Sequence, residues 1–391
     1  MNRFLSLIIL AGIFAQSSEA QIFRFPAPDT LSGNYFGTSV AIDGNRAVVG
    51  ATGEDSCGPN SGAAFIYDID ETGAWILSER LLPRDCREQG FFGSAVSIDG
   101  DRVLVSSYRT FVRQSISNSV YVFEKRDSGW IQTARLESPD KDKSGPFASS
   151  ISLDGDRILI TSAGDAAGST INGIGWIFEI NRRNNWKVVA ELEGGLSPRA
   201  GVLGTASALD GDRAVIAGST YSRGEPGVLY IFDKDSTDAT WYQTGAIRGI
   251  RDFFISVDVF EDLVIVGESR GGVDNSGRAR IISKVDGNWA TVATLEPSTP
   301  YSSGAFGTKV AIDKDIALVS GFSEQLKLDI NVDQVVYVFV RSDGKWVQSR
   351  EIDRGNTAFG SSIDLQNGMA LIGQAADSKP GQVYLVPLNH P

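Results

Sequence analysis

One histidine in 391 residues, His390 beside the C-terminal Pro391, leaves little room for imidazole chemistry. A Ser-His-Asp or Cys-His site needs an imidazole held in place by packing, and a terminal residue is poorly placed for that. Cysteine is as scarce. With Cys57 and Cys86 alone, zinc or copper sites built on His and Cys are not expected. After residue 20 no run approaches ~18 consecutive apolar residues, so no membrane-spanning helix is expected. Positive charge is also short: 36 Lys and Arg stand against 48 Asp and Glu, for a net charge of −12. Such a surface repels phosphate backbones and no basic cluster offsets it, so nucleic acid is not an expected partner. What survives these absences is carboxylate chemistry or binding without chemistry.

Residues 1–20 read as a secretory signal. Arg3 supplies the basic start, Phe4 to Phe14 the apolar run, and Ser18-Glu19-Ala20 the small residues of a cleavage site. No cysteine follows to carry a lipid, so cleavage before Gln21 and a soluble secreted or periplasmic product are expected. Residues 21–391 are rich in glycine, with 43, and carry Val, Ile and aromatics in short runs. That is the composition of a β-rich chain with many tight turns.

An aromatic-glycine signal recurs every 50–56 residues: Phe36-Gly37, Phe92-Gly93, Phe147-Ala148, Leu203-Gly204, Phe253-Phe254, Phe306-Gly307 and Phe359-Gly360. Behind each lies an alternating strand such as FGTSVAI, a turn, an apolar strand such as RAVVGA, and a variable loop. A third strand such as SVYVFEK follows, then a short turn ending in Trp that opens a fourth. Repeats of this length with four strands predict an all-β fold, a seven-bladed β-propeller of four-stranded antiparallel blades. A solenoid would leave both ends open. Here the seventh unit stops after GQVYLVPL, and residues Gln21 to Phe25 supply the missing strand, so the N-terminal strand is expected to close the ring. Residues 21–391 thus form one domain with blades starting near 36, 92, 147, 203, 253, 306 and 359.

The pattern FGxSVAIDGDRVLVGA…VYVFE…W…L resembles the FG-GAP repeat, the blade of integrin α-chain propellers and of many exported bacterial proteins. The resemblance covers essentially residues 21–388 and implies the propeller fold. It says less about function, because propellers host adhesion, lectin and enzymatic roles alike.

Calcium-binding blades of that kind carry a longer loop, D-x-D-x-D-G-x-x-D, between the first two strands. The expansion is needed because Ca²⁺ takes six to eight oxygens at about 2.3–2.6 Å. Here the turn is only Asp99-Gly100-Asp101-Arg102, an arginine stands where a ligand would, and FEDL, DKDI and LQNGM in units five to seven are no longer. The Asp-Gly pairs therefore read as hairpin turns. DKDKSG at 140–145 reads as a solvated inter-blade loop, and no cofactor is expected. Trp75, Trp130, Trp186, Trp241, Trp289 and Trp346 share one repeat position and read as packing residues that cover blade edges. Trp176, in a third strand, reads as core.

In an up-and-down blade, the loop holding Cys57 and the connection holding Cys86 emerge on one face, so a disulfide is expected. The same topology puts the short turns on one face and the long loops (106–118, 161–173, 217–227, 267–277, 320–334, with 297–305) on the other. Variable loops on a rigid scaffold are where binding concentrates. The ligand-binding candidates are Tyr108, Arg109, Phe111 and Arg113 in SSYRTFVRQS, with Tyr221, Arg223, Arg270, Tyr301, Phe322 and Lys327. The reading is a secreted, non-catalytic binding or adhesion scaffold for an extracellular or envelope protein or a glycan. A lectin is the alternative. A carboxylate-dependent glycan hydrolase or lyase is the third possibility and needs two carboxyls about 5–9 Å apart.

Overall fold

The segment RVLVSS, Arg102–Ser107, is buried from Val103 onward, and Arg46–Ala51 and Leu263–Glu268 behave alike. A short apolar run of this kind suits a strand covered on both faces. Trp75–Leu81 and Trp186–Leu192, by contrast, are largely exposed until their last leucine. The computed structural model describes residues 22–28, 34–107, 118–140, 145–164, 173–194, 202–219, 227–250, 255–300, 304–322, 333–355, 358–376 and 380–388. These strands form seven four-stranded antiparallel sheets.

Blade one runs Phe36–Asp43, Arg46–Ala51, Ala63–Ile69, Trp75–Leu81. Its first strand packs against both neighbours: Val40 and Ile42 meet Leu371, Val383 and Leu385 of blade seven, while Ala41 meets Phe92 and Val96 of blade two. First strands touch their successors all the way round, so they form the inner ring, and the buried second strands lie behind them. At roughly 1.5–3 kcal/mol per fully buried aliphatic side chain, these clusters hold blade to blade.

The aromatic-glycine signal has a steric cause. Register shifts follow Phe36, Phe92 and Phe359, and the next glycines adopt φ of 89°, 90° and 81°. A Cβ on Gly93 would sit 2.4 Å from the Ala63 carbonyl oxygen, so no side chain fits. Blade four begins one residue before its signal, at Val202. Blade five is described from Ile255; Phe253 and Phe254 lie outside the described residues. In blade six Phe306 makes only a single bridge, to Gly277, and the regular strand is Val310–Asp313.

The ring closes as the sequence predicts. Phe23–Arg24 pairs with Gln382–Pro387, and the Phe25 N–H donates to the Val383 carbonyl at 2.9 Å. Phe25 is buried, its ring edge-on to Tyr67 at 4.8 Å and 5.2 Å from Trp75, so the same segment docks onto blade one. Gln21 lies outside the described residues. Topology leaves a turn face, with the first-to-second and third-to-fourth strand connections, and a loop face opposite.

Candidate functional site

On the turn face the Asp-Gly hairpins do more than reverse the chain. Asp43 Oδ2 accepts from the Gly100 N–H at 2.6 Å, and Asp154 Oδ2 from Gly211 at 2.6 Å, each reaching into the next blade. Asp99 receives the Gly155 N–H and Asp210 the Glu261 N–H in the same way. The hairpin arginines reach in the same direction. Arg46 Nη1 donates to the Gly100 carbonyl at 2.6 Å and to Asp101 at 3.0 Å. Arg102 does so to Gly155 and Asp156, Arg157 to Gly211 and Asp212, Arg213 to Glu261 and Asp262. In blades two, three and four the two aspartates of the hairpin thus hold opposite neighbours, the first gripping the blade ahead and the second receiving the blade behind.

The packing role of the tryptophans follows from the same clasp. Arg46 lies over Trp130 at 5.0 Å, Arg102 over Trp186 at 5.1 Å and Arg213 over Trp289 at 4.6 Å. Each is a cation over the ring of the next blade. Trp176 is buried in the core. The other edge of each guanidinium meets an acid on its own third strand: Arg46 meets Asp68 at 2.7 Å, Arg157 Glu179 at 2.9 Å and Arg213 Asp233 at 2.7 Å. Burial pushes these carboxyls up, but hydrogen bonds and the arginine and lysine charges outweigh it and hold Asp68, Glu179 and Asp233 below their ordinary values. Among the described residues no group of three or more His, Cys, Asp or Glu is arranged to hold a metal.

On the loop face, Arg270 is exposed between the second and third strands of blade five. Phe322 is half-buried at the end of Ile316–Phe322, its N–H bonded to the Gly304 carbonyl at 2.7 Å and its carbonyl to the Tyr337 hydroxyl at 3.0 Å. Its backbone therefore anchors the loop. Tyr108, Arg109, Phe111, Arg113, Tyr221, Arg223, Tyr301 and Lys327 lie outside the described residues, as do 141–144 of the acidic stretch.

Cys57 and Cys86 form a disulfide with Cα atoms 5.9 Å apart. The Gln89 N–H bonds the Pro59 carbonyl and the Phe91 N–H the Asn60 carbonyl beside it, so this rim of blades one and two is doubly fastened. Next to it is a cluster that sequence reading missed. Arg135 reaches Asp85 at 3.3 Å and Glu137 at 2.9 Å and lies over Tyr121 at 5.9 Å. The Tyr121 hydroxyl donates to Asp85 at 3.2 Å; burial first, then the Asp85 charge, pushes it up to about 12. These residues come from a connection and two strands, so no local motif announces them. Blade five carries another departure. Where blades two and six have Tyr121 and Tyr337 it has Arg280, which together with Arg278 grips the fully buried Glu268.

The inner ring holds three further ionisable groups. Asp258 accepts from the Ile312 N–H of the next blade at 2.8 Å, and Asp364 from Ile42 at 2.7 Å. Ser97 and Ser152 do the same work for Leu153 and Leu209. Burial pushes Asp258 up to about 7 and Asp364 to about 6. Lys309, immediately before Val310–Asp313, has its ammonium desolvated by the surrounding strands, which pushes it below its ordinary value.

Architecture and inter-blade clasp define a closed-ring repeat propeller. A family model of the FG-GAP repeat matches residues 20–67 and 75–123, the first two blades. These two segments match the FG-GAP repeat, and the chain as a whole is a seven-bladed β-propeller, an architecture consistent with the FG-GAP propellers of integrin α-chains. A comparison with curated proteins found no match. The fold suggests a protein-binding scaffold, and FG-GAP propellers are typically non-catalytic.

Proposed function

We propose that this chain is an exported, non-catalytic scaffold that binds an extracellular or envelope macromolecule through its loop face. The observation that supports it is the contrast between the two faces. Most hairpins of the turn face are engaged in gripping neighbouring blades, while the strand ends between which the longer connections run lie on the opposite face, as in scaffolds that bind through loops. A protein partner is the first reading. A glycan is the second, favoured by the aromatic residues of the loop 106–118.

A photo-crosslinking amino acid at Arg270 on the loop face and another at the exposed Thr72 on the turn face test the assignment in medium or envelope extract. A defined band from position 270 and none from 72 is expected. Equal capture from both positions, or from 72 alone, overturns it. A glycan array probed with the wild type and with Tyr108→Ala/Arg109→Ala separates the two partner classes: loop-dependent glycan binding favours the lectin.

A further inference from the structure

Three hairpins of the turn face lack the clasp arginine, with Leu263, Ile316 and Met369 at its place in blades five, six and seven. The junction leaving blade five is the one whose receiving half keeps both the second aspartate and the tryptophan. In blade five Phe260 stands where the hairpins of blades one to four have the first aspartate, and Leu263, opposite Phe260 in the register, stands where they have arginine. Ser283 stands where the third strand elsewhere supplies Asp68, Glu179 or Asp233. All three clasp residues are replaced together, as they are in blade seven by Gln366, Met369 and Pro387. There, however, Gln366 still accepts from the Gly44 N–H and donates to Asp43 across the junction. The receiving half in blade six is complete: Lys314 offers the hairpin carbonyl, Asp315 the second carboxylate and Trp346 the ring. Arg341 occupies the place of Lys284, which in the previous junction pairs with Asp233 at 3.2 Å. With Ser283 opposite, Arg341 has no such acid.

The consequence is a groove of about 650 Å³ lined by Phe260, Leu263, Ser283, Asp315, Arg341 and Trp346, among others. At the clasped junction of blades two and three, Arg102 lines a recess of about 420 Å³. Asp315 and Arg341 are exposed and form no ion pair among the described residues. Trp346 is half-buried beside them.

We infer that this groove takes an arginine side chain from a partner protein, with a carboxylate of the same segment meeting Arg341. The warrant is internal to the molecule. Equivalent positions in this chain bind an arginine at the junctions leaving blades one, two, three and four, through a hairpin carbonyl, an aspartate and, at three of them, a tryptophan ring. A planar guanidinium satisfies carbonyl, carboxylate and ring at once, which an ammonium does less well. The net charge of −12 favours a cationic approach. The site lies on the face opposite the loops and does not depend on the loop-face reading.

The test uses the whole chain labelled with 5-fluorotryptophan, whose Trp346 ¹⁹F resonance is assigned with Trp346→Phe. N-acetyl-L-arginine is titrated at constant ionic strength, with N-acetyl-L-lysine and N-acetyl-L-arginine amide alongside. A saturable shift of the Trp346 signal with Kd of about 1–10 mM is expected for the arginine probe, weaker for lysine. The amide binds more weakly than the acid in the wild type and equally in Arg341→Ala. Asp315→Ala weakens binding roughly two- to fivefold. Leu263→Arg, which supplies the missing guanidinium from the chain itself, abolishes the shift in a folded protein. No saturable shift, or a shift unchanged in Leu263→Arg, overturns the inference. So does a Trp346 response to N-acetylglucosamine in place of the arginine probe.

Discussion

Arg213 lays its guanidinium over the ring of Trp289, 4.6 Å from the centroid, although the two belong to different blades. The same side chain holds Asp233 at 2.7 Å and Asp262 at 2.9 Å, so one residue ties its own third strand to the next hairpin. The two acids differ in setting: the Asp233 side chain is 19% exposed and that of Asp262 75%. Arg213→Ala is therefore expected to cost about 2 kcal/mol, because Asp233 keeps only Thr244 and Lys284 and the ring loses the nearer of its two cations. Asp262→Ala should cost under about 1 kcal/mol, as an exposed pair does. Urea midpoints of the two variants measure the difference; equal losses would place the stabilisation in the surface pair instead.

The inner carboxyls make stability depend on pH in a direction opposite to the clasps. Asp258 and Asp364 have folded pKa values raised, to about 7 and about 6, from an ordinary value of 3.8. They bind a proton more tightly in the folded ring. Their contribution is complete below about pH 4 and is lost as pH rises through 6 and 7. Asp68, Glu179 and Asp233 are held low, so their contribution is present above the ordinary carboxylate range and lost as pH falls below it. Thermal unfolding of the wild type should thus show rising stability from pH 8 to pH 5, then a fall in stronger acid. Asp258→Asn/Asp364→Asn should flatten the first limb and leave the acid limb. Parallel curves would remove the inner ring as the cause.

Reduction of Cys57–Cys86 should weaken blade one without opening the propeller. The bridge spans 29 residues of sequence separation, for which loop entropy gives about 3–4 kcal/mol. The neighbouring backbone bonds from Gln89 and Phe91 persist without it. Cys57→Ser/Cys86→Ser is expected to show a lowered urea midpoint with unchanged far-UV signal and unchanged hydrodynamic radius. An expanded radius under native conditions would mean that the bridge is needed for the ring itself.

The repeat made the blade count, the closing strand and the disulfide legible, because each follows from strand order along the chain. The role of Asp99 and Asp101 was only half legible. That they form a hairpin is local; that each grips a different neighbour depends on how the ring stacks blades. The Asp85–Tyr121–Arg135 cluster was not legible, since its members lie in separate elements with no shared motif. Leu263 illustrates the reverse case. FEDL is visible as a departure from DGDR, but its meaning required knowing that arginine reaches Trp of the following blade. Blade five departs on both faces, at Leu263 and Ser283 on one and at Glu268 and Arg280 on the other, while blades six and seven depart at the clasp with Ile316 and Met369.

Closure of the ring depends on Phe25 more than on the two-residue strand before it. Phe23–Arg24 adds little pairing, whereas Phe25 is 1% exposed and packs on both Tyr67 and Trp75 of blade one. The Tyr67 hydroxyl also donates to the Pro26 carbonyl at 2.7 Å, which fixes the chain leaving the strand. Phe25→Ala removes the anchor and is expected to cost about 3–5 kcal/mol, the range for deleting a buried aromatic. Release of this segment bares the edge of Gln382–Pro387, and an unpaired edge invites another chain. Light scattering should therefore show concentration-dependent association of Phe25→Ala, absent in Arg24→Ala, whose side chain is exposed. If Phe25→Ala loses stability yet remains monomeric at every concentration, the strand pairing at Phe23–Arg24 suffices to protect the edge and the anchor serves blade one alone.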